Sequence, residues 1–401
     1  FLDRLNRFNV TPKLGEIEST NPCVTGDTWI LTAEGPRRVR DLLGQPCELA
    51  LHGGFNRTAS EGFFKTGTKD VLKVMTDRGQ TLRLTVDHLV RTVPSMDRFS
   101  HQEAWTPAGN LRSGDRIVIS ENRGLSWNGK GSEEEGFLLG MLLGDGVLKS
   151  EGGVLSVWGA DENAESLRMA AGEAARTLPH RADFRGFQSA VAGRGETRLR
   201  MAALRDLAAT YGMTPGAKQA TPELEKTGSA FHEGFLRGLF DTDGTVIGSQ
   251  AHGVSVRLWQ HDMGTLLAAQ RMLARLGIVS TIYADRKPAE SKEMPDGKGG
   301  TALYETTPGH ELIITGDNLA IFAERVGFAS AGKQAHLASL LEGYRRRLNR
   351  ERYVTTVVSV TPDGREDVYD VQVPGVNAFD ANGLVVHNCG EQPLTPYGCC
   401  D

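Results

Sequence analysis

The feature that most constrains the fold is a change of hydrophobic period, which occurs twice along the chain. From residue 23 to about residue 120, short β-branched runs alternate with Gly, Asp and Pro turns. Residues 126–350 instead contain long stretches with apolar residues every three to four positions, as in helices, separated by a few strand-like pieces. Short alternating runs return in residues 351–388. The pattern predicts a mostly β domain, split in sequence, that hosts an inserted α+β domain.

Composition limits the partners and the compartment. The formal net charge is −5, so contact with nucleic acid must depend on a local basic patch. The five cysteines are too few for a disulfide framework, which favours a reducing, cytoplasmic location. No apolar run is long enough to span a membrane, and residues 1–10 lack a signal-peptide pattern. The absence of an initial Met and the ending just after a Cys pair suggest a fragment of a longer protein.

Three reactive side chains stand side by side near the C-terminus, at His387, Asn388 and Cys389. An Asn amide nitrogen can attack its own carbonyl carbon and cleave the chain as a succinimide. Cys is a strong nucleophile at neutral pH, and His is the usual carrier of protons. The tripeptide alone also fits three solvated polar residues. A second candidate nucleophile, Cys23, favours the reactive interpretation, because Cys23 begins the same β domain that Asn388 ends.

Three blocks in this order resemble those of inteins, whose splicing domain has the horseshoe-like hedgehog/intein fold. They are Cys23-Val-Thr-Gly-Asp-Thr, Thr85-Val-Asp-His88, and a final block from Val368-Tyr-Asp-Val to Val386-His387-Asn388-Cys389. The resemblance implies autocatalytic protein splicing, which needs no cofactor. It assigns catalytic roles to Cys23, Thr85, His88, Asp370, His387, Asn388 and Cys389.

The implied reaction begins with an N–S acyl shift, in which Cys23 attacks the carbonyl of Pro22 while His88 protonates the leaving nitrogen and Thr85 supports it. Cys389 then takes the acyl group by thioester exchange, and Asn388 cyclises with help from His387. The family also places an acid at Asp370 to coordinate the steps. This chain departs from the family at Asn377, where many inteins have a His. Asp370 could instead be a solvated strand residue, and Cys47 is interpreted as a core residue.

The inserted region repeats a motif. Leu138-Leu-Gly-Met-Leu-Leu-Gly-Asp145-Gly and Leu236-Arg-Gly-Leu-Phe-Asp-Thr-Asp243-Gly resemble the paired LAGLIDADG (DOD-type) motifs of homing endonucleases. Small residues at Gly140 and Gly238 would let two helices pack closely about a pseudo-twofold axis. The resemblance implies that Asp145 and Asp243 hold Mg²⁺ there and cleave double-stranded DNA. The structural alternative is two ordinary core helices that each end in an Asp-Gly cap.

Basic residues supply the predicted DNA contacts. Lys218 and Lys333 match lysines that the endonuclease family places near the cleaved phosphates, although both could be solvated surface residues. Arginines on strands are expected in the major groove, and an arginine triplet on the backbone phosphates. Solvated charge is the alternative for the triplet. The predicted DNA-binding residues are Arg198, Arg200, Arg257, Arg345, Arg346 and Arg347.

The two ends of the chain, when joined, match a single loop that the insertion interrupts. Joining residues 15–22 to residues 389–399 gives a string with Asn-Pro-Cys-Gly-Glu, which resembles the active-site loop of ribonucleotide reductase, most like its adenosylcobalamin-dependent class. Asn21, Cys389 and Glu391 match the substrate-contacting Asn, Cys and Glu of that loop. The resemblance implies that the insertion inactivates the reductase host, and we expect no reductase activity or cobalamin binding from this chain.

The predicted organisation has five parts: host segments 1–22 and 389–401, a splicing domain in residues 23–125 and 351–388, and an endonuclease in residues 126–350. The chain is expected to act as a monomer on the intein-less host gene. Three alternatives remain. They are hedgehog-like autoprocessing without ligation, a Cys-His hydrolase that acts on external substrates through Cys23 and His88, and a splicing intein whose endonuclease has decayed.

Overall fold

The chain folds into two compact units. The computed structural model describes residues 23–189, 195–249, 253–288, 291–295, 301–305, 308–343 and 349–388. The first unit, here the β unit, contains the described residues up to Asn122 and from Tyr353 onward. The second, the inserted unit, runs from Arg123 to Arg352. The predicted fold class, a β domain split by an α+β insertion, is confirmed.

The secondary structure is numbered along the chain. Strands of the β unit are β1 Val24–Thr25, β2 Trp29–Thr32, β3 Gly35–Arg38, β4 Glu48–Leu51, β5 Gly54–Arg57, β6 Phe63–Thr76, β7 Thr81–Thr85, β8 Leu89–Met96, β9 His101–Pro107, β10 Arg116–Val118, β21 Val354–Val371, β22 Ala378–Ala381 and β23 Leu384–His387. Strands of the inserted unit are β11 Val147–Lys149, β12 Gly152–Trp158, β13 Gln188–Ser189, β14 Glu196–Met201, β15 Gly244–Ser249, β16 Gly253–Gln260, β17 Ser280–Lys287, β18 Ser291–Pro295, β19 Thr301–Glu305 and β20 Gly309–Ile314. The helices are α1 Glu133–Leu143, α2 Glu162–Arg176, α3 Ala202–Thr210, α4 Pro222–Glu225, α5 Ser229–Asp243, α6 Met263–Arg275, α7 Asn318–Arg325 and α8 Ala331–Glu342.

The β unit is organised around the pairing of its two longest strands, β6 and β21. They lie antiparallel in a nine-stranded sheet of order β1-β7-β6-β21-β10-β8-β23-β22, in which β9 pairs with β8. A second, four-stranded sheet has the order β3-β2-β4-β5. Strand β21 also pairs with β1, with Val24 opposite Tyr369. This pairing brings the two β-rich ends of the sequence together, so both predicted cleavage points lie in one unit.

The inserted unit contains the same arrangement twice. Its two larger sheets have the orders β11-β12-β14-β13 and β15-β16-β20-β17. In both sheets, the strand that comes last in the sequence lies between the second and the third. A helix precedes each sheet, α1 before β11 and α5 before β15, and these two helices pack on each other. Helix α1 begins with a capping box in which the Ser132 and Glu135 side chains and backbone amides bond reciprocally. The repeated order supports the predicted pseudo-twofold symmetry.

Glycines bring α1 and α5 into backbone contact. A Cβ at Gly140 would overlap the carbonyl oxygen of Phe235, and one at Gly238 would overlap that of Phe137. Two further glycines one turn earlier, Gly136 and Gly234, are equally tight against the opposite helix. Both helices therefore carry a Gly-x-x-x-Gly pattern, of which sequence analysis identified only the second glycine. Among the described residues, no helix is both long and apolar enough to cross a membrane.

Candidate functional sites

Cys23 is held at its backbone by Thr85. The Cys23 N–H donates to Thr85 Oγ1 over 3.0 Å, and the Thr85 N–H donates to the Cys23 carbonyl over 2.9 Å. Thr85 ends β7, which lies beside β1, and both residues are buried. The predicted support residue thus fixes the amide nitrogen that splicing would release.

The Cys23 thiol is enclosed by two residues that sequence analysis missed. Its Sγ lies 2.8 Å from Thr66 Oγ1 and accepts a hydrogen bond from Lys69 Nζ over 3.4 Å. Burial raises the pKa of the thiol to about 11, and Asp370 adds to the increase, while Thr66 and Lys69 oppose it. Because the thiol is fully buried, its charged form depends on these neighbours.

His88 is buried beside both ends of the β unit. A turn from Thr85 places it, since the His88 N–H donates to the Thr85 carbonyl over 3.1 Å. Its ring contacts Phe379 edge to face. Among the described residues, neither ring nitrogen has a partner with hydrogen-bond geometry. Burial lowers its pKa to about 4, against smaller upward contributions that include the backbone of Cys23 and of His387. His88 is therefore neutral at pH 7, with one ring N–H to donate.

The C-terminal candidates lie at the end of β23, which pairs with β22 and β8. Asn388 is buried, and its N–H donates to the carbonyl of Asn377 over 3.2 Å. Asn377 has a φ of 53°, a conformation that Asn tolerates better than most residues. At this position, where many inteins have a His, the observed contact to Asn388 comes from the backbone.

His387 packs against a tryptophan that sequence analysis did not identify. Its ring contacts Trp105 edge to face with centroids 4.9 Å apart, and the Arg91 guanidinium lies 4.6 Å from the Trp105 centroid. Burial lowers the pKa of His387, and the Arg91 charge acts in the same direction, while the backbone of Asn388 opposes it. A neutral imidazole can accept a proton, so His387 is suited to a general-base role.

Asp370 lies at the end of β21, fully buried. Its Oδ1 accepts from the Val371 N–H over 2.8 Å, and its charge acts on the Cys23 thiol. Asp370 therefore lies near the thiol that is predicted to react, and it is not a solvated residue on the face of a strand. Cys389 and the predicted host residues Asn21 and Glu391 lie outside the described residues.

In the inserted unit, the two motif aspartates lie at the ends of the packed helices. Asp145 follows α1 and is exposed, while Asp243 ends α5 and is half-buried. A Cβ at Gly144 would lie 3.1 Å from Asp243 Oδ2, so the two motif ends are close. The pKa of Asp243 is raised by burial and by the Asp145 charge. Gln260 Nε2 donates to Asp243 Oδ2 over 2.6 Å, a contact that sequence analysis missed.

Lys218 and Lys333 occupy equivalent positions at the two helix ends. Lys218 Nζ donates to the carbonyls of Gly144 over 2.8 Å and Gly146 over 2.6 Å. Lys333 Nζ donates to the carbonyls of Asp241 over 2.6 Å and Gly244 over 2.7 Å. Burial lowers both lysine pKa values, and the motif aspartates oppose the shift. The two carboxylates and two ammonium groups thus form one electrostatic cluster. Each lysine donates to carbonyls at a helix C-terminus that would otherwise bond to water.

The two carboxylates of this cluster are too few to bind a hard cation such as Mg²⁺ without further ligands. In the part of the chain that the structure describes, no three His, Cys, Asp or Glu residues stand close enough to hold a metal ion. Two carboxylates with mutual repulsion can hold Mg²⁺ when phosphate oxygens and water complete its shell. The donor set therefore fits an ion that binds together with a phosphate-bearing ligand.

The predicted DNA-contacting arginines differ in how they are engaged. Arg198 is paired with Glu196 over 2.6 Å, and Arg257 contacts Ser255 over 3.0 Å and Glu311 over 3.4 Å. Arg200 is exposed on the same strand as Arg198 and lines a concavity of about 470 Å³ beside β11 and β12. The triplet Arg345, Arg346 and Arg347 lies outside the described residues.

Comparisons with known proteins find relatives on both parts of the chain. The LAGLIDADG-like domain family matches residues 230–327, which include Asp243 and all of α5 after Ser229. The ribonucleoside-diphosphate reductase NrdEB subunit alpha of Bacillus subtilis is 24% identical over 98% of this chain and 38% of its own length. The replicative DNA helicase DnaB of Rhodothermus marinus is 24% identical over 95% of this chain and 47% of its own length.

Two solved structures align with the chain over different extents. A variant of the Ssp DnaB mini-intein aligns over 94% of this chain and 100% of its own, with 11% identity and a TM-score of 0.31. The endonuclease I-DmoI, in complex with DNA and Mn, aligns over 49% of this chain and 96% of its own, with 16% identity and a TM-score of 0.32.

The recognition from sequence is confirmed. Residues 230–327 match the LAGLIDADG-like domain family, and the chain has ribonucleotide reductase relatives. It spans about two fifths of the length of the reductases it matches. None of these relatives is named for adenosylcobalamin, so that assignment stays a prediction.

Proposed function

We propose that this chain is an intein that excises itself by protein splicing and joins Pro22 to Cys389. The observation that carries the proposal is the position of His88. Thr85, which bonds to the Cys23 N–H, accepts from the His88 N–H. Val90, two residues beyond His88, pairs with Val386 next to His387. One imidazole therefore stands beside both predicted cleavage points.

The relatives offer independent support. A reductase and a replicative helicase catalyse unrelated reactions, yet each aligns with nearly all of this chain. A segment shared by such different proteins is better explained by a transferable insertion than by either enzyme's own activity.

The first step exchanges an amide for a thioester. The Cys23 sulfur attacks the Pro22 carbonyl carbon, the C–S bond forms, and the C–N bond to Cys23 breaks. The thiol proton passes through water to the unprotonated His88 ring nitrogen, while the other ring nitrogen gives its proton to the released Cys23 nitrogen, so the ring ends the step neutral. Thr85 holds that nitrogen in place by its 3.0 Å hydrogen bond.

The later steps release the intein and join the flanks. The Cys389 thiolate takes the acyl group from Cys23 by thioester exchange. The Asn388 side-chain nitrogen then attacks its own carbonyl carbon, and the bond to Cys389 breaks. His387, kept neutral by its surroundings, accepts the proton that the Asn388 amide loses and passes it to the leaving Cys389 nitrogen, and Asp370 stands near Cys23 to link the two ends. The free Cys389 amine finally displaces the thioester sulfur and forms a peptide bond.

We further propose that the inserted unit is a site-specific endonuclease for double-stranded DNA, whose target is the host gene without the insertion. Asp145 and Asp243 would hold Mg²⁺, which when bound supplies charge stabilisation and an activated water. Lys218 and Lys333 keep positive charge beside the carboxylates and suit the scissile phosphates. Both motif copies belong to one chain, which favours a monomer. The retained carboxylate and lysine pairs favour an active over a decayed endonuclease.

The host is proposed to be a ribonucleotide reductase, with Asn21, Cys389 and Glu391 in its rejoined catalytic loop. Two rival functions fit the geometry less well. A hydrolase that acts on external substrates needs an accessible nucleophile, whereas Cys23 is completely buried. Autoprocessing without ligation would not require the buried Asn388 next to His387.

Intact-mass analysis of the freshly expressed chain, beside Cys23→Ala and Asn388→Ala variants, tests the proposal. Splicing predicts a free piece of residues 23–388 and a peptide in which residue 22 is joined to residue 389, and neither should appear with the variants. Cleavage without the joined peptide would support autoprocessing. A chain that stays whole under reducing conditions would contradict splicing.

A further inference from the structure

Two residues on β6 converge on the Cys23 sulfur, although no sequence block contains them. Thr66 Oγ1 lies 2.8 Å from Sγ and Lys69 Nζ lies 3.4 Å from it. The Thr66 hydroxyl also donates to the Val368 carbonyl over 3.2 Å. The hydroxyl therefore lies between the thiol and the β21 backbone, where it can accept a hydrogen bond from the thiol or donate one to the thiolate.

A β-bulge directs Thr66 toward the sulfur. Gly67 stands opposite Val368, while Lys65 stands opposite Tyr369, so Thr66 is the extra residue on β6. Gly67 has a φ of 139°, which a residue with a side chain rarely adopts. Bulges redirect side chains and are frequent next to active sites. An ordinary strand would alternate side chains regularly, and Thr66 and Lys69, three positions apart, would point to opposite faces.

We propose that Lys69 is a further catalytic residue of the first splicing step: its ammonium group stabilises the Cys23 thiolate, while the bulged Thr66 orients the thiol toward attack. This inference rests on the proposed splicing function. The Cys23 thiol must lose its proton to attack Pro22, and burial opposes the negative charge. Asp370 on β21 also acts on the thiol, and its negative charge opposes ionisation, while neutral His88 faces the Cys23 backbone. Lys69 supplies the positive charge that offsets both effects.

The test uses the full chain with Asn388→Ala and Cys389→Ala, which block the later steps. Dithiothreitol then cleaves the thioester between residues 22 and 23, and the rate is measured between about pH 6 and pH 10. We expect Lys69→Met to slow cleavage at pH 7 about tenfold and to move the rate profile to higher pH, because an opposite charge near a thiol lowers its pKa. Lys69→Arg should restore most of the rate.

Lys65→Met is the matched control. Lys65 lies on the same strand, but its ammonium group pairs with Asp367 over 2.6 Å at the surface, so its loss should leave the profile unchanged. Thr66→Val, which keeps the branched shape, should also slow cleavage. Equal rates and pH profiles for Lys69→Met and its parent would overturn the proposal.

A second measurement does not depend on splicing. A ¹³Cβ NMR titration of Cys23, assigned by loss of the signal in Cys23→Ser, follows thiolate formation directly. Lys69→Met should titrate at higher pH than its parent, and an unchanged titration would refute the role of Lys69. If the parent shows no thiol-dependent cleavage at any pH, the splicing proposal fails, whereas the titration still decides whether Lys69 stabilises the thiolate.

Discussion

The β unit and the inserted unit place their reactive groups in opposite surroundings. In the β unit, Cys23, His88, Asp370 and Asn388 are all completely buried. In the inserted unit, Asp145 is exposed and Asp243 is half-buried at the helix ends. The β unit gathers residues from the two ends of the sequence, whereas the inserted unit brings together two copies of one motif.

The difference follows from how each proposed substrate arrives. A splice junction is covalently part of the chain, so it reaches a closed site by folding alone. DNA must approach from solvent, so its site has to stay open. The closed site controls its chemistry by desolvation, which keeps Cys23 protonated and His88 neutral. In the open site burial also shifts the pKa values of Lys218, Lys333 and Asp243, but there the carboxylates and lysines oppose each other's shifts.

The largest expected effect is the complete separation of the two activities. Cys23→Ala should abolish splicing, because no other group can form the thioester, and leave DNA cleavage unchanged. Intact mass and a plasmid-cleavage assay measure the two on the same preparation. Loss of DNA cleavage in Cys23→Ala would contradict independent sites.

The reciprocal change removes a carboxylate from the open site. Asp243→Asn should lower DNA cleavage by more than about 100-fold, because loss of an outer-shell partner alone costs about 10- to 100-fold and Asp243 is itself a proposed metal ligand. Splicing should proceed at the parent rate. Glu223→Gln, an exposed acid outside the cluster, is the control and should cleave normally. Removal of divalent cations with a chelator should reproduce the loss for cleavage alone.

Helix packing gives the next effect. Gly140→Ala should destabilise the inserted unit by about 3 kcal/mol, because the new Cβ overlaps the Phe235 carbonyl and the backbones must separate. Chemical unfolding followed by tryptophan fluorescence and DNA cleavage would detect it. Gly172→Ala is the matched control on α2, where only the end of Arg176 lies near, and should be neutral or stabilising. Equal effects of the two substitutions would contradict backbone contact between α1 and α5.

Acid should weaken the β unit through His88. Its folded pKa of about 4 lies below the ordinary value of 6.5, so the unfolded chain takes up the proton first as pH falls. The contribution of neutral His88 to the free energy of unfolding is about 3 kcal/mol. It is fully present above about pH 6.5 and is lost toward pH 4. Unfolding of the parent and His88→Gln across this range should give curves whose difference shrinks as pH falls. A constant difference would show that the His88 pKa is the same in the folded and the unfolded chain.

The smallest effect concerns DNA affinity. Arg200→Met should weaken binding to the target modestly and relax discrimination between the target and altered sequences, since Arg200 is exposed on a strand expected in the major groove. Arg205→Met is the control, because Arg205 pairs with Asp206 on α3. Binding isotherms with the target and with single-base variants measure both. A larger loss for Arg205 would place the DNA elsewhere.

Sequence analysis identified residues that belong to local patterns. Cys23, the Thr85–His88 spacing, Asn388 and the two motif aspartates all stand in short strings whose chemistry is legible without a structure. The split β fold was also predictable, because the hydrophobic period changes at both boundaries. Gly136 and Gly234 could have been found from their four-residue spacing before Gly140 and Gly238.

Other contacts depend on strand register, which local sequence does not fix. Thr66 reaches Cys23 only because of the bulge at Gly67, and Trp105 reaches His387 through the pairing of β8 with β9 and β23. Arg198 and Arg257 were predicted to face DNA from their strand positions. Their pairing with Glu196 and Glu311 depends on side-chain geometry and cross-strand neighbours.

The hydrogen bond from the Ile119 N–H to the Tyr353 carbonyl, 2.7 Å long, joins the two points at which the β unit is interrupted. Because these points are already neighbours, a short loop could close the gap at small entropic cost. A shortened gene without residues 123–352 should therefore still encode a folded β unit. Equally, two separate polypeptides divided at this gap could reassemble along the β6–β21 ladder, which would make the position a natural place to divide the protein for engineering.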